Sequence, residues 1–422
     1  MKIKVSQIIE LIIELSCILM LGFLLIPQND IIGYNTSRIL VGVWSIISTL
    51  LVIKLTYKDK QFRKINCILN RYFIPYTLII FLMAIYSYYT YRFALWDLLL
   101  IFIPYLYAYL AYAIAYVFYK QKSMEKMMDK ISILVVIILV FKAYAWYQYN
   151  FKGEIVFERL LFEYDDWFRN GMQRVNAGYL VGIASVFLLC KQTKGISWIV
   201  YRLAVGFIVL FLMYVTAFRY QLIVTLFTCF VVYYFYKGGQ KKQLIKRMAL
   251  IGVVVYFLTS EQVQNLISSF AISGSDIGYS TLVRLMNVEH YGKLMWNKFA
   301  IFGIGFISKA SPTALSLMSY GNGKIFWLED IGILGGFFRF GVMAVFIYGY
   351  LFKHAISDCL KLLKCNTQIR TIMFGITAYM ITSCVMLNIF DGQRAFDVPF
   401  YIAIIAYVEG VFLNKNRKNP ML

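Results

Sequence analysis

The sequence predicts an all-α polytopic membrane protein with about twelve transmembrane helices, and three observations lead there. Of its 422 residues, 61% are hydrophobic and only 15% charged, too little charge to cover a water-soluble body of that size. Apolar stretches of about 20 residues, enough to cross a hydrocarbon core of about 30 Å, recur along nearly the whole length. Lysine and arginine gather in short segments between those stretches, the pattern of cytoplasmic loops in multi-span proteins.

Taken in order, helices are expected near 5–27, 38–55, 72–89, 95–119, 131–148, 176–190, 198–217, 219–236, 248–260, 327–352, 371–390 and 398–413, all in one transmembrane domain spanning 1–422. The first apolar stretch, Val5 to Ile26, is too long for a signal-peptide core and lacks a small-residue cleavage site, so it reads as a retained helix. Tyr86, Tyr88, Tyr89 and Tyr91 stand where a stretch ends, at the headgroup level that suits amphipathic rings.

With the N-terminus inside, the segments 54–71, 120–130, 191–202, 237–247, 353–370 and the tail become cytoplasmic. Together with the basic start they carry most of the 42 Lys and Arg, while most of the 21 acids face outward. The net charge of +21 thus follows from topology, and no nucleic-acid partner is expected. Both termini are cytoplasmic on this reading.

None of the seven cysteines falls in an outer loop, so no disulfide framework is expected. Cys359 and Cys365 lack the paired spacing and nearby histidines of a zinc site, and His290 and His354 fall on opposite sides of the membrane; no metal is expected. Without GxxxxGK[ST] or another nucleotide signature, and without a soluble domain, no nucleotide cofactor is expected either.

Two outer segments exceed ordinary connections: 149–175 and 261–326. Long loops are usually functional or disordered, and the second has too much helical periodicity for disorder. Within 281–299, Leu282, Leu285, Met286, Tyr291, Met295 and Phe299 recur at near-helical intervals, predicting an amphipathic helix on the outer membrane face.

Candidate chemistry lies on the outer side. Trp198 to Tyr236 is about twice the length one helix needs, and Arg219 near its middle reads as the turn of a hairpin, either an anchor in the headgroup zone or a fixed anion site. Arg284 lies in the amphipathic segment. Arg174, just before VNAG and the membrane, is a second interfacial arginine, whereas Glu154, Glu158, Glu163, Asp165, Asp166 and Arg169 read as a solvated face. Glu329 and Asp330 stand where the tenth helix begins, as dipole-capping acids or as catalytic groups. Arg339, about 900° further round a continuous helix, falls on nearly the opposite face from Asp330, yet an arginine that deep defaults to a paired or functional role. Gly332 and Gly336 read as a small-xxx-small packing pair. Asp391, Gln393, Arg394 and Asp397 form a last outer cluster, with turn chemistry at Asp391-Gly392 as its plain explanation. His290 reads as an interfacial surface residue.

With an outward Arg219 at a mid-chain hairpin, a long outer loop with Arg284 followed by FGIGF (302–306), and an acidic pair leading into DIGILGG (330–336), in that order, the layout resembles the Wzy-type polysaccharide repeat-unit polymerases of the O-antigen polymerase and ligase superfamily. RVNAG at 174–178 also looks like the family's arginine with a downstream Asn or Gly at an outer helix start. The resemblance spans most of the chain in architecture. It departs at Ala217-Phe218, where small residues and serine commonly precede the hairpin arginine, and at the ligases' loop histidine, near whose place stands Asp330. The absent histidine favours polymerase over ligase.

The resemblance implies a GT-C-like helical fold and a glycosyltransferase working at the outer face of the bacterial cytoplasmic membrane. It would join undecaprenyl-diphosphate-linked oligosaccharide repeat units into capsular, exopolysaccharide or O-antigen chains, within the lipid bilayer, with a chain-length regulator and a flippase as further partners. Breaking the anomeric bond builds charge on the diphosphate, which Arg219 and Arg284, with Arg174, would stabilise through their planar forks. Arg339, Arg394 and Asp391 are secondary candidates. Asp330, or Glu329, would take the proton of the acceptor hydroxyl. Three other readings share many of these features: a ligase-like glycan transferase, a lipid-linked glycan flippase or transporter, and a scaffolding membrane protein. A transporter would show duplicated halves with ionisable groups near the midplane, whereas the candidate groups here gather on one side.

Overall fold

The computed structural model describes residues 5–26, 34–162, 167–169, 171–191, 195–236, 276–299, 301–320, 324–363, 365, 367–386, 388–392 and 394–413. The described chain is all-α apart from two minimal antiparallel ladders, β1 (Phe168–Arg169) with β2 (Met172–Gln173) and β3 (Ser319–Tyr320) with β4 (Lys324–Ile325). The main helices are α1 (Val5–Leu21), α2 (Tyr34–Thr56), α3 (Phe62–Tyr91), α4 (Leu95–Leu106), α5 (Leu110–Gln121), α6 (Glu125–Tyr147), α7 (Glu158–Leu161), α8 (Val181–Cys190), α9 (Ile196–Leu210), α10 (Arg219–Phe235), α11 (Asp276–Leu294), α12 (Pro312–Met318), α13 (Ile333–Phe340), α14 (Met343–Leu362), α15 (Gln368–Ser383) and α16 (Val398–Tyr407).

Among the described residues, five helical stretches are long and apolar enough to cross a membrane: Asn35–Thr56, Phe62–Tyr91, Leu95–Gln121, Ile196–Val215 and Ala395–Leu413. Helices stand at or near every other expected position except 248–260, which lies outside the described residues. Gln393, Glu163, Asp165, Asp166 and the first part of the long outer loop, 261–275, also lie outside them.

The middle of the bundle is set by helices apolar all round, as a wholly buried helix requires. Leu110 to Phe118 of α5, Val398 to Tyr407 of α16 and Val181 to Leu188 of α8 are buried at every position. Small residues bring neighbouring backbones together: a Cβ on Gly182 of α8 would stand 2.0 Å from the Tyr379 ring of α15. By contrast, α9 leaves Ile196, Ile199, Val200, Leu203 and Leu210 exposed, a face suited to lipid.

Beyond an earlier start of α6 at Glu125 and a later start of α8 at Val181, three differences from the sequence expectation reshape the fold. The expected loop 54–71 ends at Phe62, because Phe62, Ile65, Leu69 and Tyr72 are buried on one helical face while Arg63, Lys64 and Arg71 remain exposed on the other. Asp59 starts this helix, its carboxylate accepting from the amides of Gln61 (3.0 Å) and Phe62 (3.1 Å), as an acid does at a helix N-terminus. The expected helix 371–390 stops at Ser383. The expected helix 327–352 is three pieces, a 3-10 turn Leu328–Ile331, then α13 and α14, broken at Gly332 and Gly341, whose φ values are 58° and 57°.

The helix ends sort into two poles. One holds the basic turns, with Lys120 3.6 Å from Asp59, Lys191 paired with Asp129, Lys361 with Asp358 (3.0 Å) and His354 with Glu409 (2.9 Å). The other gathers 174–180, 216–219, 301–342 and 384–397, and there a second apolar cluster joins Tyr91 at the end of α3 and Phe93 just beyond it to Tyr291, Ile304, Ile307, Met318, Phe326, Leu328 and Ile331. This cluster gives the segment from α11 to the 3-10 turn its own packed core at that pole.

Candidate functional site

The amphipathic segment is the helix α11, and its docking decides where Arg284 goes. Positions i, i+3 and i+7 share a helix face, so Arg284, Asn287 and Tyr291 form one stripe. The buried Asn287 donates from Nδ2 to the carbonyl of Trp327 at 2.7 Å, and Tyr291 donates its hydroxyl to the carbonyl of Phe326, also at 2.7 Å. Arg284, one turn earlier, acts electrostatically on Asp330, four residues beyond Phe326. Leu282 and Leu285 stay exposed. His290 is half-buried, its Nε2 2.7 Å from the carbonyl of Leu317 and its ring between Tyr291 and Phe326, so it belongs to the packing of this segment rather than to an open surface.

Asp330 reaches solvent while protein flanks it on most sides. That enclosure raises its carboxyl above the ordinary aspartate range; Arg284 pulls against the shift and the neighbouring Glu329 adds to it. An accessible acid with a raised pKa within electrostatic reach of a guanidinium is suited to take a proton while an anion is held nearby.

Glu329 and Arg339 depart from the expectation of a continuous helix. Gly332 turns the chain in a backbone region essentially reserved for glycine (φ 58°, ψ −134°), so rotation about one axis no longer predicts facing. Arg339 folds back onto Glu329, Nη2 to Oε1 at 2.5 Å, while its Nη1 donates to the Tyr105 hydroxyl at 2.6 Å. Asp391 lies within electrostatic reach of both Arg339 and Tyr105. Glu329 is therefore the partner of Arg339 rather than a capping acid, and no side chain caps the 3-10 turn. Gly332 likewise serves the turn, whereas Gly336 does serve packing, since a Cβ there would stand 2.2 Å from the Tyr348 hydroxyl oxygen.

The FGIGF segment fastens this turn to the bundle. The amides of Ile304 and Gly305 donate to the carbonyls of Phe338 (2.7 Å) and Arg339 (2.9 Å), satisfying the C-terminal end of α13. The Phe306 amide donates to Ser87 Oγ on α3 at 2.7 Å.

The buried Arg339 guanidinium makes two charge-assisted bonds, each of about 1.5–3 kcal/mol, and desolvation opposes much of that. Replacing Arg339 by Met should lower the stability of the purified protein by about 2–3 kcal/mol, discounted from the usual cost of breaking a buried pair because Glu329 can reach water. A melting temperature unchanged from wild type would show that Glu329 needs no cation there.

A second basic group forms where 174–180 crosses the turn before α10. Arg174 donates from Nε to the carbonyl of Thr216 at 2.7 Å, its guanidinium carbon lies 4.0 Å from the Trp167 ring centroid, and the Val175 amide donates to Val215 at 3.2 Å. Ala217 takes a left-handed conformation (φ 47°), turning the chain so that Arg219 becomes the half-buried first residue of α10. Next along, Tyr220 donates to the carbonyl of Thr382, and the Cys384 carbonyl accepts from the Ile333 amide at 2.7 Å. The end of α15 thus lies between the Arg219 turn and the acidic turn.

Arg394 and Asp391 are buried rather than open at the interface. The backbone of Asp391 makes the expected turn, accepting from the amides of Arg394 and Ala395. Arg394 Nη2 donates to Gln221 Oε1 at 3.1 Å, and Asp397 accepts from the Leu180 amide at 2.7 Å. These contacts tie α8, α10 and α16 beneath the two basic groups.

Sequence reasoning passed over Tyr105, Asn287 and Lys142. Lys142 is buried in α6 and donates from Nζ to the carbonyl of Asn176 at 3.0 Å, steadying RVNAG. Its signal was available, as the one charge in the apolar run VVIILVFKAYAWY. Tyr105 and Asn287 gave none, because both are common residues made important by distant partners. Among the described residues no group of three or more His, Cys, Asp or Glu is placed to hold a metal ion. No protein-family model matches the chain, and no curated protein matches it.

Proposed function

We propose that this protein is a polymerase of the Wzy type, with a GT-C-like fold, that joins undecaprenyl-diphosphate-linked oligosaccharide units at the outer face of a bacterial cytoplasmic membrane. The observation that carries the reading is that α11 docks on the carbonyls of Phe326 and Trp327 and so brings Arg284 within electrostatic reach of the accessible Asp330, at the same pole as the Arg174–Arg219 turn. Polyprenyl diphosphate needs cations at a headgroup plane, and an acceptor hydroxyl needs a base near them. Concentration of basic turns at the opposite pole supports an outward orientation for this one.

In this mechanism the anomeric carbon to diphosphate bond breaks as an acceptor hydroxyl attacks. Arg219, Arg284 and Arg174 stabilise the diphosphate that leaves, and Asp330 takes the proton. Arg339 holds Glu329, and through it the acidic turn, without touching substrate. The activated donor supplies the driving force, so the reaction as proposed calls for no nucleotide.

Replacing Arg219 by Ala should abolish long polymer while leaving the protein inserted and single repeat units exported, read as band patterns of extracted glycan. Undiminished polymer length and yield in that variant would remove Arg219 from the mechanism. Purified protein given lipid-linked repeat units tests the activity itself, and elongation without any partner is the expected result.

A further inference from the structure

The pole opposite the proposed transfer site carries a separate feature. A cavity of about 260 Å³ is lined by Lys64, Cys67, Ile68 and Arg71 of α3, Lys361 of α14, and Glu409 and Leu413 beyond α16. Three of those side chains are cations and one is an acid. Glu409 is already bonded to His354 Nδ1 at 2.9 Å and also lies within electrostatic reach of Lys361 and Arg71. Lys361 in turn reaches Asp358 at 3.0 Å, and the His354 ring stacks on Tyr350 with centroids 4.2 Å apart. Even with both carboxylates ionised and His354 neutral, Lys64, Arg71 and Lys361 leave the group with net positive charge.

Ile68 and Leu413 add apolar wall to the same recess. Cations beside apolar surface at a helix end match a phosphate joined to a glycerol and acyl chain, and each Lys or Arg near an anionic membrane surface contributes about 1 kcal/mol. The volume exceeds that of one phosphate group, leaving room for the glycerol. Ordinary positive-inside lysines need no shared cavity; here three helical segments place their charges around one.

We propose that this recess binds a phosphate group, supplied by the headgroup of an anionic phospholipid, through Arg71, Lys361 and Lys64. The site is independent of the transfer chemistry, so its test is a binding measurement on the full-length protein in nanodiscs. Cys67, exposed on the recess wall, is the reporter. Its alkylation by a neutral maleimide, mapped by mass spectrometry, should be at least about fivefold slower in phosphatidylglycerol than in phosphatidylcholine. In the Arg71→Gln/Lys361→Gln variant that protection should disappear, and retained phosphatidylglycerol should fall about 30-fold, as loss of two such contacts implies. Arg71→Lys should keep both, which separates lost binding from lost folding. Lys122→Gln/Lys126→Gln removes the same charge outside the recess and should change neither readout.

Millimolar inorganic phosphate in phosphatidylcholine discs distinguishes the sources. Protection by phosphatidylglycerol alone supports a lipid ligand, while equal protection by phosphate alone would overturn the lipid source. Equal rates in both lipids, or equal loss in the Lys122/Lys126 control, would overturn the site.

Discussion

Substituting Asp330 by Asn should cut the rate of glycan transfer by about 10²–10⁴-fold, the range a general base contributes, while the protein remains folded and inserted. Asn keeps the size of the side chain and the neighbours Glu329 and Arg284 but cannot accept the acceptor's proton. Because enclosure and Glu329 raise the carboxyl against the pull of Arg284, the wild-type rate should climb with pH along a limb lying above the ordinary aspartate range. That limb should be missing from the residual activity of the Asn variant. The stability effect has the opposite sense: a raised folded-state pKa makes wild type lose stability as pH rises from the ordinary range through the raised value. The variant should therefore melt no lower than wild type at neutral pH and lose any advantage in acid. A variant with wild-type turnover would leave Glu329 or another group as the base.

Gly332→Ala should be strongly damaging at the site. Its Cβ would stand 2.3 Å from the Val385 carbonyl oxygen and 2.7 Å from that of Cys384, and backbone atoms cannot swing aside as a side-chain tip can. The positive φ of 58° adds strain of about 1–3 kcal/mol for any residue with a Cβ. The same turn receives the Ile333 amide bond to Cys384 and orients Glu329 toward Arg339, so the clash disturbs both at once. Expected are loss of more than about 3 kcal/mol in stability, from strain and clash together, and disappearance of polymer. Gly171→Ala, where nothing lies within 4 Å of the added Cβ, carries a similar φ of 73° and should cost about 1 kcal/mol from backbone strain alone. Equal melting temperatures for the two variants would mean that Val385 moves freely.

The chain carries two kinds of information, local and non-local. Apolar length and charge alternation are local, so the helical body, the basic turns at one pole and the break before Arg219 can be read from the chain directly. The same local rule misjudged 327–352, because a hydropathy window registers glycine as mild rather than as a change of direction; Gly332 and Gly341 divide that stretch and send Arg339 back to Glu329. It also missed the start of α3, where charged residues on one face hide an apolar stripe from any average over the segment.

What the sequence determined by itself was the solvent of this protein and the identity of the groups available for chemistry: an apolar, helix-rich chain with arginines and acids in its outer-type segments. Tertiary structure alone decided which of those groups meet. Arg284 comes within electrostatic reach of Asp330 because Asn287 and Tyr291 dock α11 on the carbonyls of 326 and 327, and Arg174 joins the Arg219 turn through Thr216. Such meetings depend on hydrogen bonds between residues tens or hundreds of positions apart, and no periodicity within one segment carries their direction.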